Sequence, residues 1–286
     1  MYHRAVLKTT TYNAVTRFDL ARTLARRGRY WTTAYLIDGL LIDTGCAHSA
    51  AELARALAGE RLIGVVNTHS HEDHIGANGR LQRERPGLAI RAHPLAVPVL
   101  ADPHGRQALH VYRRILWGWP APSQGQPVCD GDVVETERHR LQVVYTPGHS
   151  PDHICLYEAD QGWLFTGDLF VGGRDRSMRA DYDVWGIIAS LKRVAALPAT
   201  MLFPGSARLR DNPAVELAAK IAYLEELGEQ ALALHRQGRS VDDIARALCG
   251  GPMLIEAITM GHFSRRRLVL SYLGMNASTS PSEARP

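Results

Sequence analysis

The sequence predicts an α/β fold in which short buried strands alternate with helices, followed by a helical C-terminal extension. Three observations predict it. Short apolar runs such as "RLIGVVNTH" have the uncharged texture of strands covered on both faces. Segments of helical period separate them. From about residue 207 the strand texture stops, and helix signals follow one another to residue 275.

Taken in order, "TTAYLIDGLLIDTG" reads as two strands around a turn at Asp38-Gly39, since Asp-Gly supplies the left-handed conformation a tight hairpin requires. "SAAELARALAG" reads as a helix that Ser49 caps and Gly59 ends. "RLIGVVNTH" is the buried strand, "GANGRLQRER" a helix that stops before Pro86, and "LAIRAHP" another strand. Residues 101–127 break the rhythm with aromatics, arginines, prolines and glycines. They are expected to form a lid or substrate-wall insertion, with Trp117 and Trp119 as wall candidates. Strand signals return in "LQVVYTPGHS", "HICLYEAD", "GWLFTGD" and "TMLFPGS".

In the extension, "PAVELAAKIAYLEELGEQALALHRQG" is a long amphipathic helix opened by Pro213, at the first-turn position where a missing N–H costs nothing. "SVDDIARAL" starts with a capping pattern, and "GPMLIEAITMG" and "SRRRLVLSYLG" give two further helices. The expected domains are residues 1–206, the catalytic part, 207–275, all-helical, and a polar disordered tail at 276–286. The helix at 214–236 offers a face for a homodimer.

Composition narrows the class. With 45% hydrophobic and 22% charged residues the chain is ordinary for a globular protein. It has no apolar run near the roughly 20 residues a bilayer span needs. The N-terminal stretch lacks a secretory pattern, so a cytoplasmic location is expected. Cys46, Cys129, Cys155 and Cys249 form no C-x-x-C pair and read as buried free thiols, with Cys46 close to the histidine loop. A net charge of +4 leaves both anionic substrates and nucleic acid open.

The chemistry lies where strands end. "VVN" runs into His69, His71, Asp73 and His74; "VVYTPG" into His149; "WLFTG" into Asp168; "MLFPG" into Ser206. Each apolar strand ends in a tight turn that presents a polar side chain, and imidazole with carboxylate suits zinc, iron or manganese. His69 and His71, two apart in extended chain, project to one side and can grip one ion; Asp73 and His74 can serve a second. His153, His93 and His262 read as packing or capping residues.

"THSHEDHIGANG", "TPGHSPDH" and "FTGDLFVGG" together resemble the metallo-β-lactamase superfamily of metallohydrolases over roughly residues 30–206. The resemblance implies a four-layer αββα sandwich with its site at one edge, in a glyoxalase II-like branch. It implies a first metal on His69, His71 and His149, a second on Asp73 and His74, and Asp168 bridging both. Asp43, in "LLIDTG", would orient the histidine loop from behind the ligands. One position departs: Ser206 stands where the family places a further histidine, so the second ion is expected to be held more weakly, with Ser206 as a weak ligand.

The reaction so implied is hydrolysis by a metal-bound hydroxide, with Asp73 orienting the nucleophile or shuttling a proton. Zinc is expected at two sites, with iron or manganese as alternatives. Asp168 argues against antibiotic hydrolysis, and "GDLFVGG" lacks the tyrosine usual in lactone hydrolases of the family. An ester or thioester of a small molecule is the leading substrate. Two alternatives stand beside it. One is an RNA-processing nuclease whose extension meets phosphates through Arg265, Arg266 and Arg267, although cations at a helix start oppose the helix dipole. The other is a mononuclear iron persulfide oxidase.

Overall fold

Strict alternation along the early strands gives one sheet two apolar faces. The computed structural model describes residues 6–24, 27–108 and 110–275; the expected disordered tail at 276–286 lies outside them. Strands β1 (Val6–Tyr12), β2 (Val15–Leu24), β3 (Arg27–Ile37) and β4 (Leu40–Ile42) form an antiparallel ladder. Strands β5 (Gly64–Val66), β6 (Ile90–Ala92) and β7 (Gly125–Pro127) extend it in parallel. Between β3 and β4, Asp38 and Gly39 take φ of 46° and 81°, the paired left-handed conformation of a two-residue hairpin.

Parallel neighbours need crossovers, and helices supply them. Helix α1 (Ala50–Ala56) joins β4 to β5, and α2 (Asn78–Glu84) joins β5 to β6. Helices α3 (Val97–Ala101), α4 (Pro103–Arg106) and α5 (Val111–Leu116) lie between β6 and β7. Phe18, Leu20, Ala34, Leu36, Leu41 and Val65 pack with Leu53, Leu81 and Leu100 of the helices. The intervening Tyr35, Ile37, Leu40, Ile42 and Val66 face the other way, into a second core. A one-residue slip would exchange these sets, so the register is firmly specified.

The second core is closed by a second sheet. It contains β8 (Val133–Glu135), β9 (Arg140–Tyr145), β10 (Ile154–Glu158) and β11 (Trp163–Gly167). After β12 (Met178–Arg179) and α6 (Val184–Ala195) comes β13 (Met201–Pro204), and the order is β13-β11-β10-β9-β8. Leu141, Val143, Ile154, Leu156, Phe165 and Phe203 supply its share of the core. Because β9 and β11 both run antiparallel to β10, and β13 parallel to β11, three of these strands end at one edge. His149, Asp168 and Ser206 follow those three ends.

Among the described residues, 147–150, 172–197 and 214–275 form a second compact unit. It holds α6, α7 (Pro213–Arg236), α8 (Val241–Cys249), α9 (Leu254–Ile258), β14 (Phe263–Ser264) and α10 (Arg265–Tyr272). Buried Leu217, Leu224, Leu227 and Ala231 run down one face of α7 at helical spacing. Ser240 Oγ accepts from Asp243 N at 3.2 Å, which caps α8 as its pattern predicts. Tyr272 Oη donates to the Leu224 carbonyl at 2.7 Å, tying α10 to α7.

One element was unforeseen, and three expectations need correction. The β1–β2 hairpin has no counterpart in the sequence reading, because "LKTTTY" is mostly exposed and carries little apolar alternation. Ser49 does not cap α1: its hydroxyl donates to the Cys46 carbonyl at 3.0 Å, closing a 3-10 turn instead. The extension is not all-helical, since Met178 and Arg179 pair with Ser264 and Phe263 in a short two-stranded ladder. Cys129 is exposed, unlike the other three cysteines.

Candidate metal centre

The loop after β5 is shaped by one carboxylate. Asp43, two per cent exposed, takes φ of 58° just past β4, a conformation aspartate tolerates better than most residues. Its Oδ1 accepts from the Thr68 N–H at 2.8 Å, and its Oδ2 from Thr68 Oγ and His74 Nδ1, each at 2.8 Å. The two ends of the histidine loop thus converge on a single side chain. The His74 carbonyl accepts from Thr44 N at 2.8 Å and Asn67 Nδ2 at 3.2 Å, which fixes the loop's far end.

Those bonds select tautomers. Thr68 spends its one hydroxyl proton on Asp43, so the 3.0 Å contact to His69 Nδ1 places the imidazole proton on that nitrogen. Nε2 of His69 keeps its lone pair. His74 likewise donates through Nδ1 to Asp43 and turns Nε2 inward, where it lies 3.4 Å from Asp168 Oδ2 and 3.9 Å from Asp73 Oδ2. This nitrogen is buried without a hydrogen-bond partner. An orphaned imidazole nitrogen between two carboxylates suits a cation.

Asp168 is held with equal care. Gly167 takes φ of 48°, and a side chain there would meet His153 Nε2 at 2.7 Å and Thr68 Oγ at 2.8 Å. The Asp168 N–H donates to His153 Nε2 at 3.2 Å, so His153 carries its proton on Nδ1, beside Thr146 Oγ at 2.8 Å. His153 is therefore a packing residue, as read, and also a positioning residue, which the sequence did not reveal. A Cβ on Gly205 would meet Asp168 Oδ1 at 2.7 Å and His74 Cε1 at 2.9 Å; the glycine keeps that space open.

One group of side chains in the first unit could hold an ion: His69, His74 and Asp168 offer ligand atoms within 4.8 Å of one another. His69 Nε2 also lies 2.9 Å from His71 Nδ1. His149 sits in the turn from β9 to β10, whose base is closed by the Thr146 N–H to the His153 carbonyl at 2.9 Å. Asp73 is not part of that group. Ser206 is exposed, and its hydroxyl lies 3.4 Å from Asp168 Oδ1.

Charge is concentrated here. Burial opposes a proton on His74, but the carboxylates of Asp168, Asp43 and Asp73 outweigh it and hold its pKa well above the usual imidazole range. Burial pushes the Asp73 carboxyl up to about 7; Glu72 and Asp168 add repulsion, and His74 counters part of it. The buried carboxylates thus attract positive charge, which a proton on His74 or a bound cation would supply.

The structure adds residues that the sequence reading missed. Glu72, inside the histidine motif, pairs with Arg113 of α5, and both are at most two per cent exposed. Arg113 Nη2 also donates to Gln107 Oε1 at 2.8 Å, and Gln107 Nε2 to the Ser70 carbonyl at 2.6 Å. Residues 101–127 therefore grip the metal loop through Gln107 and Arg113. No local pattern in "HVYRRIL" signals this, since the partner lies 41 residues upstream. Tyr182 was also missed: its hydroxyl is 3.4 Å from His149 Nε2, and the rings lie 4.4 Å apart. The two tryptophans separate. Trp117 is half-buried against Tyr30 and Tyr112, whereas Trp119 lines an open cleft. His93 stacks on Tyr145 at 4.5 Å and accepts from Leu95 N, packing and capping as read. Gly76 N donates to the Gly45 carbonyl at 2.7 Å, which brings Cys46 beside the loop as expected.

Residues 28–206 match the family model described as the metallo-beta-lactamase superfamily. An atrochrysone carboxyl ACP thioesterase of Aspergillus fumigatus is 29% identical over 239 residues, 79% of this chain and 68% of that protein. A hydroxyacylglutathione hydrolase of Gloeobacter violaceus is 34% identical over 119 residues, 41% of this chain; the match spans only 39% of that protein's length. Among solved structures, a metallo-beta-lactamase family protein of Thermus thermophilus superposes with a TM-score of 0.65 at 20% identity, covering 92% of each chain. The fold is an α/β sandwich with a helical extension. No helix among the described residues is long and apolar enough to cross a membrane.

Proposed function

This chain belongs to the metallo-beta-lactamase superfamily and is a metallohydrolase, and from that premise we propose that it hydrolyses thioesters at a two-ion centre. His69, His71 and His149 would hold the first ion, and Asp73 and His74 the second, with Asp168 shared. Zinc suits this donor set, and the second ion is the weaker because Ser206 replaces a stronger donor. The single observation that carries the reading is His74 Nε2, buried without a hydrogen-bond partner and facing Asp168.

A bound metal ion supplies water of lowered pKa, and so a nucleophile at neutral pH. The chain's own residues do the rest. Asp43 and Thr68 lock His74 and His69 in the tautomers that present Nε2. His153 holds the Asp168 backbone, and Glu72 and Arg113 keep the loop in register. Asp73 takes up or delivers a proton at its carboxylate. The thioester class rests on two names among the relatives, an atrochrysone carboxyl ACP thioesterase and a hydroxyacylglutathione hydrolase.

The test is chelation. Dialysis against a strong chelator should abolish hydrolysis of S-acetyl-N-acetylcysteamine, and added zinc should restore it; turnover indifferent to metal would exclude this reading. A second reading, oxidation by a single iron, draws on Ser206 alone. Elemental analysis separates the two.

A further inference from the structure

Between His104 and Pro122 the chain forms one wall of an open cleft of about 1140 Å³. Trp119 and Ile115 give it apolar surface, and Ile115 is half exposed. Its ionisable side chains are two arginines and two histidines: Arg22 from β2, His48 after β4, His104 from α4 and Arg114 from α5. No carboxylate is among its described lining residues. Arg22 lines the cleft half-buried, and its Nε has no hydrogen-bond partner.

The cleft is joined to the candidate centre by two short paths. Arg113 and Arg114 are adjacent on α5; the first holds Glu72 in the metal loop and the second lines the cleft. His48 N donates to the Trp117 carbonyl at 3.3 Å, and Gly45, three residues before His48, accepts from Gly76, two residues past His74. A ligand seated in the cleft thus lies against the chain segments that flank the metal loop.

We infer that this cleft receives the thiol half of the substrate, and that this half is a phosphate-bearing thiol of the phosphopantetheine type. The inference rests on the thioesterase reading. Two guanidinium groups with two imidazoles beside them suit a phosphate, with its several acceptor oxygens, better than a single carboxylate. The methylene and gem-dimethyl portions of such an arm suit the Trp119 and Ile115 wall.

Binding of the product thiol tests this apart from catalysis. Calorimetry on the metal-loaded protein should show 4′-phosphopantetheine binding at least about tenfold more tightly than pantetheine or glutathione, and weakening steeply with salt. Arg22→Ala with Arg114→Ala should abolish the preference, and the paired lysine variants should retain part of it. Coenzyme A run in parallel separates a nucleotide-bearing source from a carrier-borne one. Equal affinity for pantetheine and its phosphate, tighter binding of glutathione, or a preference that survives the alanine pair would overturn the assignment. Failure to hydrolyse any thioester would strike the proposed function instead, and the binding data would still decide the cleft.

Discussion

Arg113 and Glu72 form a buried ion pair between an insertion helix and the interior of the histidine motif, 41 positions apart in sequence. Two charges withdrawn from water are costly to separate, because the survivor is left buried and uncompensated. Arg113→Met should therefore destabilise the fold by about 3–5 kcal/mol in denaturant titration. Arg113→Met with Glu72→Leu should recover much of that loss. A single variant as stable as the parent would show that the pair does not fasten the insertion.

Asp43 touches no proposed substrate position, yet it orients His74 and the start of the loop. Partners of this kind are worth about 10–100-fold in metal affinity. Asp43→Ala should weaken zinc retention by that order in chelator competition, with the native far-UV spectrum preserved. Unchanged retention would remove Asp43 from the account.

Ser206 sets the expected asymmetry between the two ions. Mild chelation should strip one equivalent from the parent protein before the other, and Ser206→His should slow that first loss. Parallel release of both equivalents from the parent, or a single ion even in excess metal, would contradict the asymmetry.

The basic start of α10 is largely spent on the protein itself. Arg265 binds Glu256 at 2.7 Å, and Arg266 lies 3.3 Å from Asp242. An RNA mobility-shift titration should accordingly show no salt-sensitive complex. Retardation that weakens steeply with salt would revive the nuclease alternative.

Much of this was legible in the sequence because it is local. The Asp38-Gly39 turn and Pro213 at the start of α7 each follow from one or two residues with a strong conformational preference. The polar residues at strand ends were legible for the same reason: an apolar run followed by a glycine turn marks where a strand stops. What escaped depends on distant partners. Ser49 has the chemistry of a cap but finds the Cys46 carbonyl first. The β12–β14 ladder joins residues 178 and 264, and neither segment is long enough to show a strand period. Arg113, His153 and Tyr182 gain their roles only from what folding brings beside them.

The most direct test of the central claim is Asp168→Ala, assayed at once for bound metal and for thioester turnover. Asp168 faces the orphaned His74 nitrogen and shares a ligand group with His69. The account predicts that the variant folds, loses at least one metal equivalent and loses turnover with it. A folded variant that keeps its full metal content and hydrolyses as fast as the parent would contradict it.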